Sequence, residues 1–154
     1  RQLLMYNRCY TRTQNCSSFV AENENGRVVG YILCAESLPK YLKGFFGTEL
    51  QEIFKTSFTS GIVSFFEAVS PAAFSVKYPA HLHIDILPEY QGQKVGTALM
   101  SALKEKLVSD NINGVMLCVG KGNVRAIEFY KKNGFKVIFK LFETVFMGLN
   151  LPQS

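Results

Sequence analysis

Cysteine is scarce and shows no pairing pattern: Cys9, Cys16, Cys34 and Cys118 contain no C-x-x-C spacing. Without a secretory signal pattern either, a disulfide-stapled secreted fold is set aside, and reduced thiols in a cytoplasmic or nuclear protein are the expectation. No apolar run approaches ~18 residues, so no membrane-spanning helix is expected. No basic run is interleaved with exposed aromatics and no nucleic-acid motif occurs, so nucleic acid is not an expected partner. Internal repeats and low-complexity segments are also missing.

What is present describes a globular domain. The 154 residues are 47% hydrophobic and only 19% charged, enough for one domain with a real core and too apolar for a disordered chain. The sequence opens on Arg1 and enters mid-pattern. A single domain over 1–154, cut from a longer polypeptide, is the expectation, with a trimmed tag as the other reading.

The net charge of +5 is unevenly placed. From Tyr90 onward nine Lys/Arg face four acids, whereas the first 89 residues balance eight against eight. The excess lies in the half that carries the most informative stretch, as an anionic ligand would favour. A solvated basic surface is the plainer alternative.

Periodicity orders the elements. Ser18–Glu24 and Arg27–Glu36 are β-prone runs joined by Asn25-Gly26, a strong hairpin signal. Residues 37–79 read as a helical excursion punctuated by Gly and Pro, long enough for a substrate wall or an oligomer contact. Ala80–Leu87 reads as a strand, Thr97–Val108 as an amphipathic helix and Gly114–Val119 as a central strand. Asn123 is expected to cap a helix that Gly134 ends, before a closing antiparallel pair at 135–139 and 144–149. Cys34 and Cys118, inside apolar runs, are expected as small core residues.

The informative stretch is Pro88-Glu-Tyr-Gln-Gly-Gln-Lys-Val-Gly-Thr-Ala98, between the 80–87 strand and the helix after it. A strand, a glycine-containing loop and a helix N-terminus make a seat for a pyrophosphate, because unpaired N–H groups and the helix dipole both favour negative charge there. His81, His83 and Asp85 alternate along the preceding strand and should share one face, opening onto a cleft. His83 has a suitable pKa for a general base and Asp85 is near enough to bias it; hydrogen-bonded packing is the plainer reading. A metal site from the three is conceivable by ligand type, but one H-x-H-x-D does not establish it, and none is expected.

Two motifs carry a family resemblance. Gln91-Gly-Gln-Lys-Val-Gly96 lines up with a Gln/Arg-x-x-Gly-x-Gly/Ala phosphate loop, and Asn123-Val-Arg-Ala-Ile-Glu-Phe-Tyr-Lys-Lys-Asn-Gly-Phe135 with an Asn-x-x-Ala-x-x-Phe-Tyr-x-x-x-Gly-Phe helix. In these the chain resembles the GNAT superfamily of acetyl-CoA-dependent N-acetyltransferases, over about residues 19–149. Tyr78–Pro88 further looks like a subgroup similar to the acetyltransferase-like domain of O-GlcNAcases.

The resemblance implies an α/β (α+β) fold with a central mixed, mostly antiparallel, twisted sheet flanked by helices. It implies acetyl-CoA as cofactor and a small-molecule or protein amine as acceptor, with a homodimer left open. By the same resemblance, the backbone of Ile84, Asp85 and Ile86 pairs with the pantetheine arm. The amides of Gly92, Gln93, Lys94, Val95, Gly96 and Thr97 hold the diphosphate. Asn123 and Tyr130 flank the thioester, with Tyr130 as general acid; a core tyrosine is the plainer reading of it. Two departures matter. Lys94 stands where the family has its first loop glycine, and Cys118 precedes the Asn123 loop where some members place a glutamate base. They keep a second function open: a pseudo-acetyltransferase domain, catalytically inactive, serving dimerisation or protein interaction.

Overall fold

The computed structural model describes residues 16–37 and 73–152, with positions 39, 40 and 43. The expected helical excursion at 37–79 therefore lies mostly outside the described residues. In chain order the elements are β1 (Cys16–Glu22), β2 (Val28–Ala35), β3 (Ala80–Ile86), a 3-10 turn (Pro88–Tyr90), α1 (Val95–Ser109), β4 (Gly114–Gly120), α2 (Val124–Lys132), β5 (Lys136–Leu141) and β6 (Thr144–Asn150).

The strands form one six-stranded sheet in the order β1-β2-β3-β4-β6-β5. Every neighbouring pair is antiparallel except β3–β4, which is parallel. This is the mixed, mostly antiparallel α+β arrangement expected. The β1–β2 hairpin turns at Asn23–Gly26, where the Gly26 N–H donates to the Asn23 carbonyl. Gly26 supplies the positive φ of 74° that ends such a turn, and the Asn23 side chain accepts from the N–H groups of Asn25 and Arg27.

Alternation along the strands divides the molecule into two faces. On one, Leu82, Ile84 and Ile86 of β3 join Val115, Leu117 and Val119 of β4 in a core with Leu99, Met100, Leu103 and Leu107 of α1. The helical stripe expected from spacing is thus present, with Met100 added and Ala102 only half-buried. Cys34 belongs to the same core and is fully buried. On the other face Met116 and Phe146 are fully buried, and Phe146 stacks with Phe139, which reaches Phe74.

Both helices begin and end for local reasons. The Asn123 side chain accepts from the Ala126 N–H, capping α2, and Gly134 at φ 92° follows the C-cap Asn133. The Lys104 ammonium on α1 donates to the Asn133 carbonyl at 2.6 Å, tying the end of α2 to α1. Gly96 lets α1 start close to the sheet: a Cβ there would lie 2.9 Å from Ile86 Cδ1 and 3.1 Å from Phe129 Cζ. Among the described residues no helix is long and apolar enough to cross a membrane.

Candidate functional site

The site is built by a failure of pairing. β3 and β4 bond in parallel only at Ala80↔Val115 and His81↔Met116, then part. Each stays paired on its outer side, β3 to β2 as far as Ile86↔Gly30 and β4 to β6 as far as Gly120↔Thr144. The sheet therefore opens as a V, and a cleft of about 640 Å³ fills it. That volume suits a small-molecule ligand.

At the mouth of the V lies the loop from Gln91 to Lys94. The first intrahelical bond of α1 runs from the Ala98 N–H to the Lys94 carbonyl, and no side chain caps the helix. Among the described residues, none accepts from the six consecutive N–H groups of residues 92–97. Gly92 takes φ 82° and Lys94 φ 64°, so the loop turns through two left-handed residues before α1. The substitution noted from the sequence thus falls where glycine carries no strain and lysine does. Lys94 lines the cleft without closing it. The loop is braced from the side by the Asn23 amide donating to the Tyr90 hydroxyl and by an Arg27–Glu89 ion pair at 3.5 Å.

Along β3 the groups at Ile86 are already engaged. The Asp85 carboxylate accepts from the Ile86 N–H, and the Gln91 side-chain amide donates to the Ile86 carbonyl. Because the Leu87 N–H goes to Val29 on β2, the alternation of the ladder turns Ile84 and Ile86 backbone groups toward the open V. Two side chains occupy the Ile86 pair, and both belong to residues that line the cleft.

Tyr130 of α2 is buried against Phe129 and Phe135 and lines the cleft. Burial first, then the electrostatic influence of Asp85 and Cys118, push its pKa up to about 12. It is therefore held as a phenol at any ordinary pH. On the far wall Tyr31, His83 and Asp85 lie together, with the Tyr31 and His83 rings 6.1 Å apart. Burial lowers the His83 pKa and Asp85 partly restores it, so the imidazole is neutral at pH 7.

The expected polar stripe needs correction at one end. His83 and Asp85 line the cleft, whereas His81 is 4% exposed and absent from its walls. Burial, with His83 adding to it, pushes its pKa down to about 3, and its Nε2 lies 3.7 Å from Cys118 Sγ. His81 and Cys118 face each other because both side chains turn to the sheet face opposite α1. Cys118 is also not the core residue its apolar run suggested: it is half-buried and lines the cleft. Among the described residues no group of three or more His, Cys, Asp and Glu is placed to hold a metal ion.

Of the residues singled out from sequence, Ile84, Ile86, Gly92, Lys94, Gly96, Thr97 and Asn123 line the cleft together with His83, Asp85 and Tyr130. Gln93 and Val95 do not: Gln93 donates back to the Glu89 carbonyl and Val95 packs on the core. Asn123 sits outside α2 as its N-cap, with its oxygen taken by Ala126. Tyr31, Arg125 and Phe129 were missed. Arg125 and Phe129 lie inside the helix motif itself, and Tyr31 is identifiable only through its register with Asp85 on the neighbouring strand.

The chain matches solved structures of the same shape. SsHAT superposes with a TM-score of 0.81 over 96% of this chain and 79% of its own, at 23% identity. A GNAT superfamily phosphinothricin acetyltransferase from Sinorhizobium meliloti, solved in complex with AcCoA, gives 0.61 over 98% and 70%, at 18% identity. The ribosomal-protein-S18-alanine N-acetyltransferase of Escherichia coli gives 0.57 over 93% and 74%, at 16% identity. At such identities these likenesses speak to the fold. The model of the acetyltransferase (GNAT) family matches residues 2–135. Split sheet, phosphate-type loop and helix motif thus coincide with a match over most of the sequence: the chain belongs to the GNAT acetyltransferase family.

Proposed function

We propose that the domain is an N-acetyltransferase that binds acetyl-CoA in the β3–β4 cleft and passes the acetyl group directly to an amine. One observation carries this reading: among the described residues nothing accepts from the N–H groups of residues 92–97, and Gly92, Lys94, Gly96 and Thr97 of that stretch line a cleft that Tyr130 also lines. Amide donors and a helix N-terminus fit a diphosphate. The opened edge of β3 fits an extended pantetheine arm, provided that Asp85 and Gln91 release the Ile86 groups. The S. meliloti neighbour solved with AcCoA supports the same ligand.

The bound thioester supplies the acyl group. The chain's own residues then divide the proton work. On the Tyr31 side, neutral His83 takes the proton that the attacking ammonium must lose. As the carbon–nitrogen bond forms and the carbon–sulfur bond breaks, the nitrogen gives its second proton to solvent, while the Tyr130 hydroxyl protonates the departing sulfur and recovers its own proton from solvent, so one proton is released per transfer. Asp85 holds the His83 pKa closer to neutrality and gives the acceptor end a negative charge suited to an ammonium.

One observation favours a second reading. The left-handed Lys94 is a strain that a catalytic phosphate loop with glycine avoids, and a pseudo-acetyltransferase used as an interaction module, as in the O-GlcNAcase-like subgroup, tolerates it. Calorimetric titration separates the two. Micromolar acetyl-CoA affinity together with acetyl transfer to an amine panel supports the enzyme. No heat at high micromolar acetyl-CoA removes the enzyme reading and leaves the module.

A further inference from the structure

Arg125 is the second residue of α2, across the cleft from the phosphate loop. Its guanidinium reaches the loop: Nη2 lies 3.7 Å from the point a Cβ on Gly92 would occupy. No hydrogen bond or ion pair to another described residue holds it. The one acid on the loop side, Glu89, is turned to Arg27. Lys94 is the other cation lining the cleft, and the first turns of α1 and α2 both open on it. A guanidinium has five donors in a planar fork that matches phosphate oxygens, which an amide row alone does not surround.

We propose that Arg125 is the second jaw of a diphosphate clamp, closing on the cofactor's diphosphate from α2 while the N–H groups of residues 92–97 hold it from α1. This rests on the acetyl-CoA reading above and adds a residue to it. The two jaws belong to separate elements, so the clamp also couples the two walls of the V: the anion that fills it bridges α1 and α2. Gly92 is favoured there by its backbone: at φ 82° a side chain would be strained, although a methyl group would lie only in ordinary contact with the guanidinium.

The test compares wild type with Arg125→Gln and Arg125→Lys by calorimetry against three probes: CoA, 3′-dephospho-CoA and pantetheine. The expected result is about a tenfold weaker affinity of Arg125→Gln for CoA and for 3′-dephospho-CoA alike, as for loss of one charge-assisted bond. Pantetheine affinity and the urea midpoint should stay at the wild-type level, and Arg125→Lys should recover part of the loss. If only CoA weakens, the guanidinium reads the 3′-phosphate and the clamp is wrong. If neither nucleotide weakens while wild type binds both, the clamp alone falls. If wild type binds neither, the acetyl-CoA reading falls and takes the clamp with it.

Discussion

Tyr130 and the two histidines show how burial sets chemistry residue by residue. Tyr130 is kept protonated by its surroundings, so it can donate but does not titrate in the working range. Replacing it by Phe removes the proposed proton source and little contact area. Turnover should fall about a hundredfold while acetyl-CoA affinity changes little; unchanged turnover in a steady-state assay defeats the assignment. His83 should give the acidic limb of the kcat/KM profile, below pH 6.5 because burial lowers its pKa. Asp85→Asn removes an interaction that raises it, so the limb should move to still lower pH. His81 bears on stability instead. Its folded pKa lies below the unfolded value, so between pH 6.5 and about 3 the unfolded chain binds a proton that the folded one refuses. Stability should fall as pH drops through that window, by up to about 1.4 kcal/mol per pH unit from this group. A His81→Gln variant should show a flatter urea midpoint against pH; an identical slope contradicts it. None of these shifts was visible in the sequence. A His-x-His-x-Asp run reports alternation, but how deep each member lies depends on what packs against it.

The phosphate loop is an element whose backbone was readable but whose strain was not. Strand, loop and helix were legible from one apolar run, one glycine-containing turn and one helical stripe. That Lys94 takes a left-handed φ follows from the loop's path between β3 and α1, which the residue type alone argues against. Lys94→Gly should therefore raise stability by about 1 kcal/mol, read as a shift of the urea midpoint. Loss of stability would mean that the lysine side chain makes up for its backbone. Gly96 is constrained from the other direction. A larger side chain at 96 has to displace Ile86 or Phe129, which sit on opposite walls of the V. Gly96→Val should cost about 1–3 kcal/mol and abolish detectable acetyl-CoA binding, with the loss of binding exceeding what unfolding explains. The α2 motif was the most legible element. Its cap, its length and its terminal glycine all follow from Asn123 and Gly134.

At the scale of the whole molecule, the decisive feature is where the sheet stops being one. Sequence pattern placed β3 as a strand and β4 as a central one, but a period of two cannot say that they pair at two positions and then diverge. The divergence lets opposite sheet faces meet at one cleft: α1 and α2 present donors and Tyr130 from one side, while Tyr31, His83, Asp85 and Cys118 stand on the other. Of the nine Lys/Arg of the C-terminal half, two, Lys94 and Arg125, line this cleft.

The most direct test is a 15N–1H spectrum of the domain recorded during titration with acetyl-CoA. The largest shifts should fall on the amides of residues 92–97 and on Ile86, whose hydrogen-bond partner must change from the Asp85 carboxylate to the pantetheine arm. Saturable binding that leaves those seven amides unmoved, or no binding at all, contradicts the account.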